Sequence, residues 1–201
     1  MSHFDADRPL AVTETARHEA YRGFRKVDVI SYREDHSGIA ARREIVVARP
    51  AVAVICHDPK RDRLVMVRQF RYGAQMGTGK GWCAEVVAGL IDDGEDPANT
   101  VRREVQEEAG VEATHVRELC CFLTTPGMSD EVIHLYYAQV DSTLLPEEAG
   151  VEHETEQTFP FALTLDEAME AVDNNRITNG IAMLALMWFA RHRTQLTEGA
   201  K

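Results

Sequence analysis

Acidic side chains concentrate in one short stretch of the chain, residues 89–111. Glu104, Glu107 and Glu108 are spaced so that a helix would bring them to one face. Such carboxylates repel one another unless water screens them or a cation is shared between them. Hard divalent ions such as Mg²⁺ take oxygen ligands and are often shared with substrate phosphates. The spacing is therefore compatible with a solvated acidic helix or with a site for a divalent cation.

The same stretch carries the signals of a short helix. Asp96 suits the N-cap, Pro97 suits the first helical position, and Gly110 suits the end of the helix. Apolar residues at three- and four-residue spacing predict a buried stripe of Ala98, Val101, Val105 and Ala109. Arg103 stands beside Glu104 as a candidate partner that orients the glutamates.

The order of these residues resembles a Nudix box. The family pattern is glycine, five residues, glutamate, seven residues, arginine–glutamate, an aliphatic residue, any residue, two glutamates, any residue, glycine and an aliphatic residue. Every position is filled, by Gly89, Glu95, Arg103, Glu104, Val105, Glu107, Glu108, Gly110 and Val111. The resemblance implies metal-dependent hydrolysis of a diphosphate bond.

Apolar and β-branched runs predict strands at residues 23–31, 43–48, 51–57, 64–70, 85–90, 116–123, 132–140 and 159–163. A capping-box spacing from Thr164 to Glu167 predicts a second helix, and residues 181–190 predict a buried C-terminal helix. Residues 1 to about 20 are polar and are expected to be loose at the start. Strands mixed with helices indicate an α+β fold.

The resemblance adds detail to that fold. It implies an α/β/α sandwich around a mixed sheet in residues 49–201. Residues 1–48 would form a small N-terminal strand unit that is used in dimerisation, so we expect a homodimer.

Features outside the box resemble the ADP-ribose pyrophosphatases of this family. They are residues 21–24, 42–44 and 68–71, the segment 125–131, and the acidic residues 152–156. In this family a proline at the position of Pro126 marks ADP-sugar substrates. The resemblance implies hydrolysis of ADP-ribose to AMP and ribose 5-phosphate with Mg²⁺, for which Mn²⁺ is a substitute. Alternatives are another nucleotide sugar such as GDP-mannose, or a non-catalytic ADP-ribose sensor.

The resemblance also implies roles for particular residues. The metal ligands would be Glu104, Glu108, the carbonyl of Ala88 and Glu156, with Glu107 close by. Arg103 would orient the glutamates. The substrate contacts would be Arg71 on the diphosphate, Phe24 on adenine, and Arg43 and Glu131 on the nucleoside or terminal ribose. The residues alone leave a core position open for Phe24 and a solvated charge open for Arg71.

The catalytic base would be a carboxylate on the acidic loop. By spacing it is Glu154, and the alternatives are Glu152, Glu156 and Glu131. His153 is a further alternative on chemical grounds.

Composition limits the partners of the chain. The formal net charge of −11 argues against nucleic acid as a partner, because binding to a phosphate backbone is strengthened by clustered Lys and Arg. The longest apolar run is too short to span a bilayer, and the first residues lack the apolar core of a signal peptide. The four cysteines show no metal-ligand spacing and are expected to be buried reduced thiols. We therefore expect a cytoplasmic protein.

Overall fold

The computed structural model describes residues 6–151 and 157–198. The chain forms two compact units. The first comprises the described residues through Ala48 together with Thr125–Glu131, and the second comprises Arg49–Thr124 with the described residues from Val132 onward.

The first unit is a three-stranded antiparallel sheet in the order β1-β2-β3. Its strands are β1 (Val12–Arg22), β2 (Lys26–Glu34) and β3 (Ala40–Val47). The segment Thr125–Glu131 joins β3, since the N–H of Val46 donates to the carbonyl of Met128 at 2.8 Å. The N–H of Ala48 also donates to the Asp130 carboxylate at 2.8 Å.

Strand β1 was not predicted, since residues 1 to about 20 were characterised only as polar and loose at the start. This strand pairs with β2 from Val12 opposite Glu34 to Arg22 opposite Lys26. All eleven of its residues are exposed, which explains the polar composition that suggested a loose segment. Backbone pairing with β2 orders it, although its side chains have little apolar surface to bury.

The second unit contains a seven-stranded mixed sheet in the order β10-β5-β4-β9-β8, with β6 beside β5 and β7 beside β4. Its strands are β4 (Ala51–Asp58), β5 (Arg63–Phe70), β6 (Trp82–Glu85), β7 (Val87–Leu90), β8 (Thr114–Leu123), β9 (Val132–Gln139) and β10 (Phe159–Leu163). Its helices are α1 (Tyr72–Thr78), α2 (Pro97–Ala109), α3 (Leu165–Asp173) and α4 (Gly180–Glu198). Strands β4 and β9 are parallel, and the other pairs are antiparallel.

Helices cover both faces of this sheet. Every residue of β4 is buried, and successive side chains point to opposite faces. Val52 and Val54 pack in one cluster with Val101 of α2. Ala53 packs in the other cluster with Phe189 of α4, which also includes residues of α3. The predicted α/β/α sandwich is confirmed.

The sheet opens between β4 and β5. Strand β7 pairs with Ala51–Val54 of β4, whereas β5 pairs only with Cys56–Asp58 of that strand. Strand β6 pairs with Val67–Phe70 of β5. The strand predicted at 85–90 is therefore two strands, because the chain crosses from β5 to β4 at Val86. The short helix α1 was not predicted.

The signals of both capped helices were correct. The Asp96 carboxylate accepts from the N–H of Ala98, and Gly110 ends α2 with a positive φ of 69°. Thr164 and Glu167 form the predicted capping box of α3.

The four cysteines are free thiols. Cys56 is buried as expected, but Cys121 is exposed, so the expectation of burial is wrong there. Within the described part of the chain, no helix is both long enough and apolar enough to cross a membrane.

Candidate active site

Helix α2 buries two glutamates on one side. Glu104 and Glu108, one turn apart, are only 7% and 3% exposed, whereas Glu107 is half-buried. Burying a carboxylate costs several kcal/mol unless charge and hydrogen bonds compensate it. A solvated acidic face is therefore excluded for Glu104 and Glu108.

The backbone of β7 lies against these two carboxylates. The N–H of Ala88 donates to the Glu108 carboxylate at 3.1 Å. A Cβ atom placed on Gly89 would stand 1.9 Å from the carboxyl carbon of Glu104. With Glu104 in this position only glycine fits at 89 without displacing the carboxylate, and the main chain and carboxylates come together there.

Arg103 holds the acidic groups of the box together. Its guanidinium donates to Glu104 at 2.7 Å, to Glu107 at 3.1 Å and to Glu95 at 3.1 Å. It also donates to the carbonyl of Leu90 at 3.2 Å, which ties α2 to the end of β7. The hydrogen bond from Arg103 lowers the pKa of Glu95 from 4.5 to about 2, and the same bond raises the pKa of Arg103.

The donor set fits a hard divalent cation. Glu104 and Glu108 supply buried carboxylate oxygens beside the β7 backbone, whose Ala88 carbonyl was the predicted backbone ligand. Within residues 6–151 and 157–198, no three His, Cys, Asp or Glu side chains converge as a metal site. The remaining ligands would come from backbone, water and substrate phosphate, which is the usual coordination of Mg²⁺.

Arg71 has partners that the sequence did not predict. It follows β5 and its guanidinium pairs with the Glu85 carboxylate through contacts of 2.8, 3.0 and 3.2 Å. The Asn179 side chain donates to the same carboxylate at 2.8 Å. Glu85 was recognised only as the start of a strand, although a lone carboxylate in the apolar run 84–91 was a signal for a special role.

The other predicted substrate residues lie in the first unit. Phe24 is 86% exposed in the bend between β1 and β2, so a core position is excluded. The Arg25 guanidinium lies 5.3 Å from the centre of its ring and 3.9 Å from the Glu131 carboxylate. Phe24 and Glu131 are thus brought together around Arg25.

Arg43 lies elsewhere in the same sheet. It is exposed on β3 opposite Ile30, whereas Lys26 beside the Phe24 bend is opposite Val47. Four residue steps along the strand, or roughly 13 Å, separate Arg43 from Val47. Within this sheet, Arg43 therefore lies away from the bend that contains Phe24.

Glu154 and Glu156, with the alternatives Glu152 and His153, lie outside the described residues.

A mixed sheet between helices, with buried glutamates of one helix against a glycine of the preceding strand, is the architecture expected of a metal-binding hydrolase domain. The family model described as NUDIX domain matches residues 47–180, which is more than half of the chain. The chain belongs to the NUDIX family.

The relatives cover most of the chain. It is 30% identical over 185 residues to a protein of Escherichia coli (strain K12) named ADP-ribose pyrophosphatase, covering 90% of this chain and 88% of that one. It is 36% identical over 165 residues, 82% of each chain, to a Bacillus methanolicus protein named methanol dehydrogenase activator. A crystal structure described as an ADP compounds hydrolase has a TM-score of 0.74 at 19% identity, over 94% of this chain and 98% of that one. That likeness concerns the fold.

Proposed function

We propose that this protein hydrolyses the diphosphate of ADP-ribose to AMP and ribose 5-phosphate with Mg²⁺ as cofactor and Mn²⁺ as a substitute. The observation that carries the proposal is the likeness to a protein named ADP-ribose pyrophosphatase over 90% of the chain. The buried pair Glu104 and Glu108 beside the β7 backbone supports a metal-dependent reaction.

In this proposal Glu104, Glu108 and the carbonyl of Ala88 hold the metal, with Glu107 close by and Glu156 as a further ligand. Bound metal ions would neutralise phosphate charge and lower the pKa of the attacking water. Arg103 keeps the carboxylates in place, because its guanidinium donates to Glu104 and Glu107.

The substrate contacts in this proposal are Arg71, Phe24, Arg43 and Glu131. Arg71 binds the diphosphate, for which a planar guanidinium is suited by its paired donors. The exposed ring of Phe24 stacks on adenine, and Arg43 and Glu131 bind the nucleoside or terminal ribose. The exposure of Phe24 supports this role, since the ring has a face available for stacking.

The base in this proposal is Glu154, which takes the proton of the attacking water. Glu152→Gln, Glu154→Gln and Glu156→Gln should be compared under one set of Mg²⁺ conditions. Glu154→Gln is expected to show the largest decrease in kcat. A loss at Glu154 no greater than that at Glu152 would remove Glu154 as the base.

We further propose a cytoplasmic homodimer. Residues 1–48 form the dimerisation unit and residues 49–201 the catalytic domain. Free thiols support a reducing compartment, and the fully exposed strand β1 supports an association surface. Light scattering of the intact chain at several concentrations tests the dimer, and a monomer throughout would refute it.

A substrate panel tests the proposed activity. ADP-ribose, GDP-mannose and other nucleotide sugars are compared by kcat/KM at one Mg²⁺ concentration, with each product identified. ADP-ribose is expected to give the highest value, with AMP and ribose 5-phosphate as products. A higher kcat/KM for GDP-mannose would make GDP-mannose the preferred substrate. Tight ADP-ribose binding without turnover would favour a sensor.

A further inference from the structure

Glu85 is a buried carboxylate in an apolar strand. Its side chain is 8% exposed, at the end of β6 where the sheet opens. It stands opposite Val67, which packs in the cluster that contains α2. Directly opposite residues of an antiparallel pair share a face, so Glu85 points to the α2 side of the sheet. A charge so buried is destabilising without strong partners.

The guanidinium of Arg71 is the first partner. Its Nε and Nη2 atoms both donate to Oε2 of Glu85, at 3.0 and 2.8 Å, and Nε also donates to Oε1 at 3.2 Å, so two nitrogens of the guanidinium are held by one carboxylate. The Arg71 side chain is nevertheless 42% exposed, so part of its surface faces solvent. The backbone N–H of Arg71 donates to the carbonyl of Gly81 at 2.7 Å, which fixes the base of the side chain.

The side-chain amide of Asn179 is the second partner. Its Oδ1 accepts from the N–H of Ala182 at 2.9 Å, and this N–H can only donate. The oxygen of the amide is therefore assigned to the start of α4, and Nδ2 is left to donate to Glu85 at 2.8 Å. The carbonyl of Asn179 also accepts from the N–H of Met183.

These contacts form a connected series from α4 to Arg71. The first turn of α4 fixes Asn179, Asn179 and Arg71 fix the Glu85 carboxylate, and Glu85 holds the guanidinium. A free arginine side chain loses rotamer entropy when it binds, and ordering it before substrate arrives removes that cost from binding.

We propose that Glu85 is a positioning residue for Arg71, and that Asn179 holds Glu85 in place. The inference rests on the proposed function, in which Arg71 binds the substrate diphosphate. Glu85 itself does not contact substrate in this proposal, so its effect on the reaction passes through Arg71.

A double-mutant cycle on kcat/KM for ADP-ribose with Mg²⁺ tests the proposal. Glu85→Gln is expected to lower kcat/KM by about tenfold or more, because the guanidinium loses its orientation. In an Arg71→Ala background the same change is expected to cost less than about twofold, since the residue through which Glu85 acts is gone. Equal losses in the two backgrounds would overturn the proposal and leave Glu85 with a structural role.

Asn179→Asp tests the second partner of Glu85 while Glu85 itself stays unchanged. Aspartate still caps α4, but it cannot donate to Glu85 and repels it. We expect a several-fold loss of kcat/KM that also shrinks in the Arg71→Ala background. Thr164→Ala, which removes the cap of α3, is the matched control and should lower the melting temperature without this loss.

A failure of the proposed function can be distinguished from a failure of the positioning role of Glu85. If the wild type does not hydrolyse ADP-ribose, the proposed function fails and this inference fails with it. If the wild type is active but Asn179→Asp has no effect or Glu85→Gln is additive with Arg71→Ala, only the positioning role is wrong.

Discussion

Gly89 and Glu104 lie so close that a Cβ atom at position 89 would overlap the Glu104 carboxylate. A Cβ atom at position 89 would stand 1.9 Å from the carboxyl carbon of Glu104 and 1.9 Å from one of its oxygens. The backbone at Gly89 is not in the left-handed region, in contrast to Gly110 with its φ of 69°. Gly89 therefore provides room for the Glu104 carboxylate, whereas Gly110 adopts a left-handed conformation and also lies where a Cβ atom would stand 2.6 Å from Pro146.

Gly89→Ala should displace the Glu104 carboxylate and weaken metal binding. We expect the Mg²⁺ concentration for half-maximal activity to rise by roughly tenfold or more, since small shifts around a metal site cost about that much affinity. The measurement is a Mg²⁺ titration of activity, with a parallel titration of melting temperature.

Gly77→Ala is the matched control for that change. A Cβ atom at Gly77 meets nothing within 4 Å, so its Mg²⁺ titration should match the wild type. An unchanged titration in Gly89→Ala would show that the position of Glu104 does not matter for the metal.

Glu108→Gln should lower kcat by several orders of magnitude with the fold intact. Glutamine can still accept from the N–H of Ala88, but it lacks the charge that a divalent cation requires. The measurement is kcat on ADP-ribose in saturating Mg²⁺, with circular dichroism as the check on folding. The exposed Glu112→Gln just after α2 is the control and should keep full activity. Near-wild-type turnover in Glu108→Gln would make the metal assignment wrong.

Local signals predicted the box helix because its determinants are neighbours in sequence. Asp96, Pro97 and Gly110 set its ends, and the glutamate spacing set the acidic face. Glu85 could not be assigned in the same way, because its partners Arg71 and Asn179 lie 14 and 94 positions away. Only the folded chain brings these three residues together.

The failure to predict strand β1 has a related cause. Its side chains are exposed throughout, so no apolar alternation marks it, and its order comes from pairing with β2. The break at Val86 was missed because it depends on the separation of β4 from β5. The residue pattern of segment 85–90 carries no information about the distance between two other strands.

Glu95 should stabilise the fold in a pH-dependent way. Its pKa is lowered from 4.5 to about 2, mainly by the hydrogen bond from Arg103. The unfolded chain therefore takes up this proton first as the pH falls, and the stabilisation is lost between about pH 5 and pH 2. The difference in unfolding free energy between wild type and Glu95→Gln should be full near neutral pH and shrink through that window.

Urea unfolding at several pH values measures this difference. Asp93→Asn, two residues earlier and exposed, is the control and should follow the wild type. A Glu95→Gln difference that stays constant down to about pH 3 would mean that the Arg103 contact does not lower the pKa of Glu95.

His57 should make the second unit less stable in mild acid. It is 1% exposed, with Tyr137 of β9 at 3.0 Å and the ring of Phe189 of α4 at 5.1 Å. Burial lowers its pKa below the ordinary 6.5, against the opposing effect of Asp62, which is itself paired with Arg193. The unfolded state therefore binds the proton at higher pH than the folded state.

The stabilising effect of a neutral His57 is complete above its unfolded pKa and falls as the pH drops below about 6.5. His57→Gln should be less stable than the wild type at about pH 7.5, because packing is lost, but should lose less further unfolding free energy on going to about pH 5.5. Urea unfolding at the two pH values measures both effects.

His115→Asn is the control, since this histidine is exposed with a φ of 48° that asparagine tolerates. Equal pH dependence in His57→Gln and wild type would mean that the buried imidazole does not titrate differently on folding.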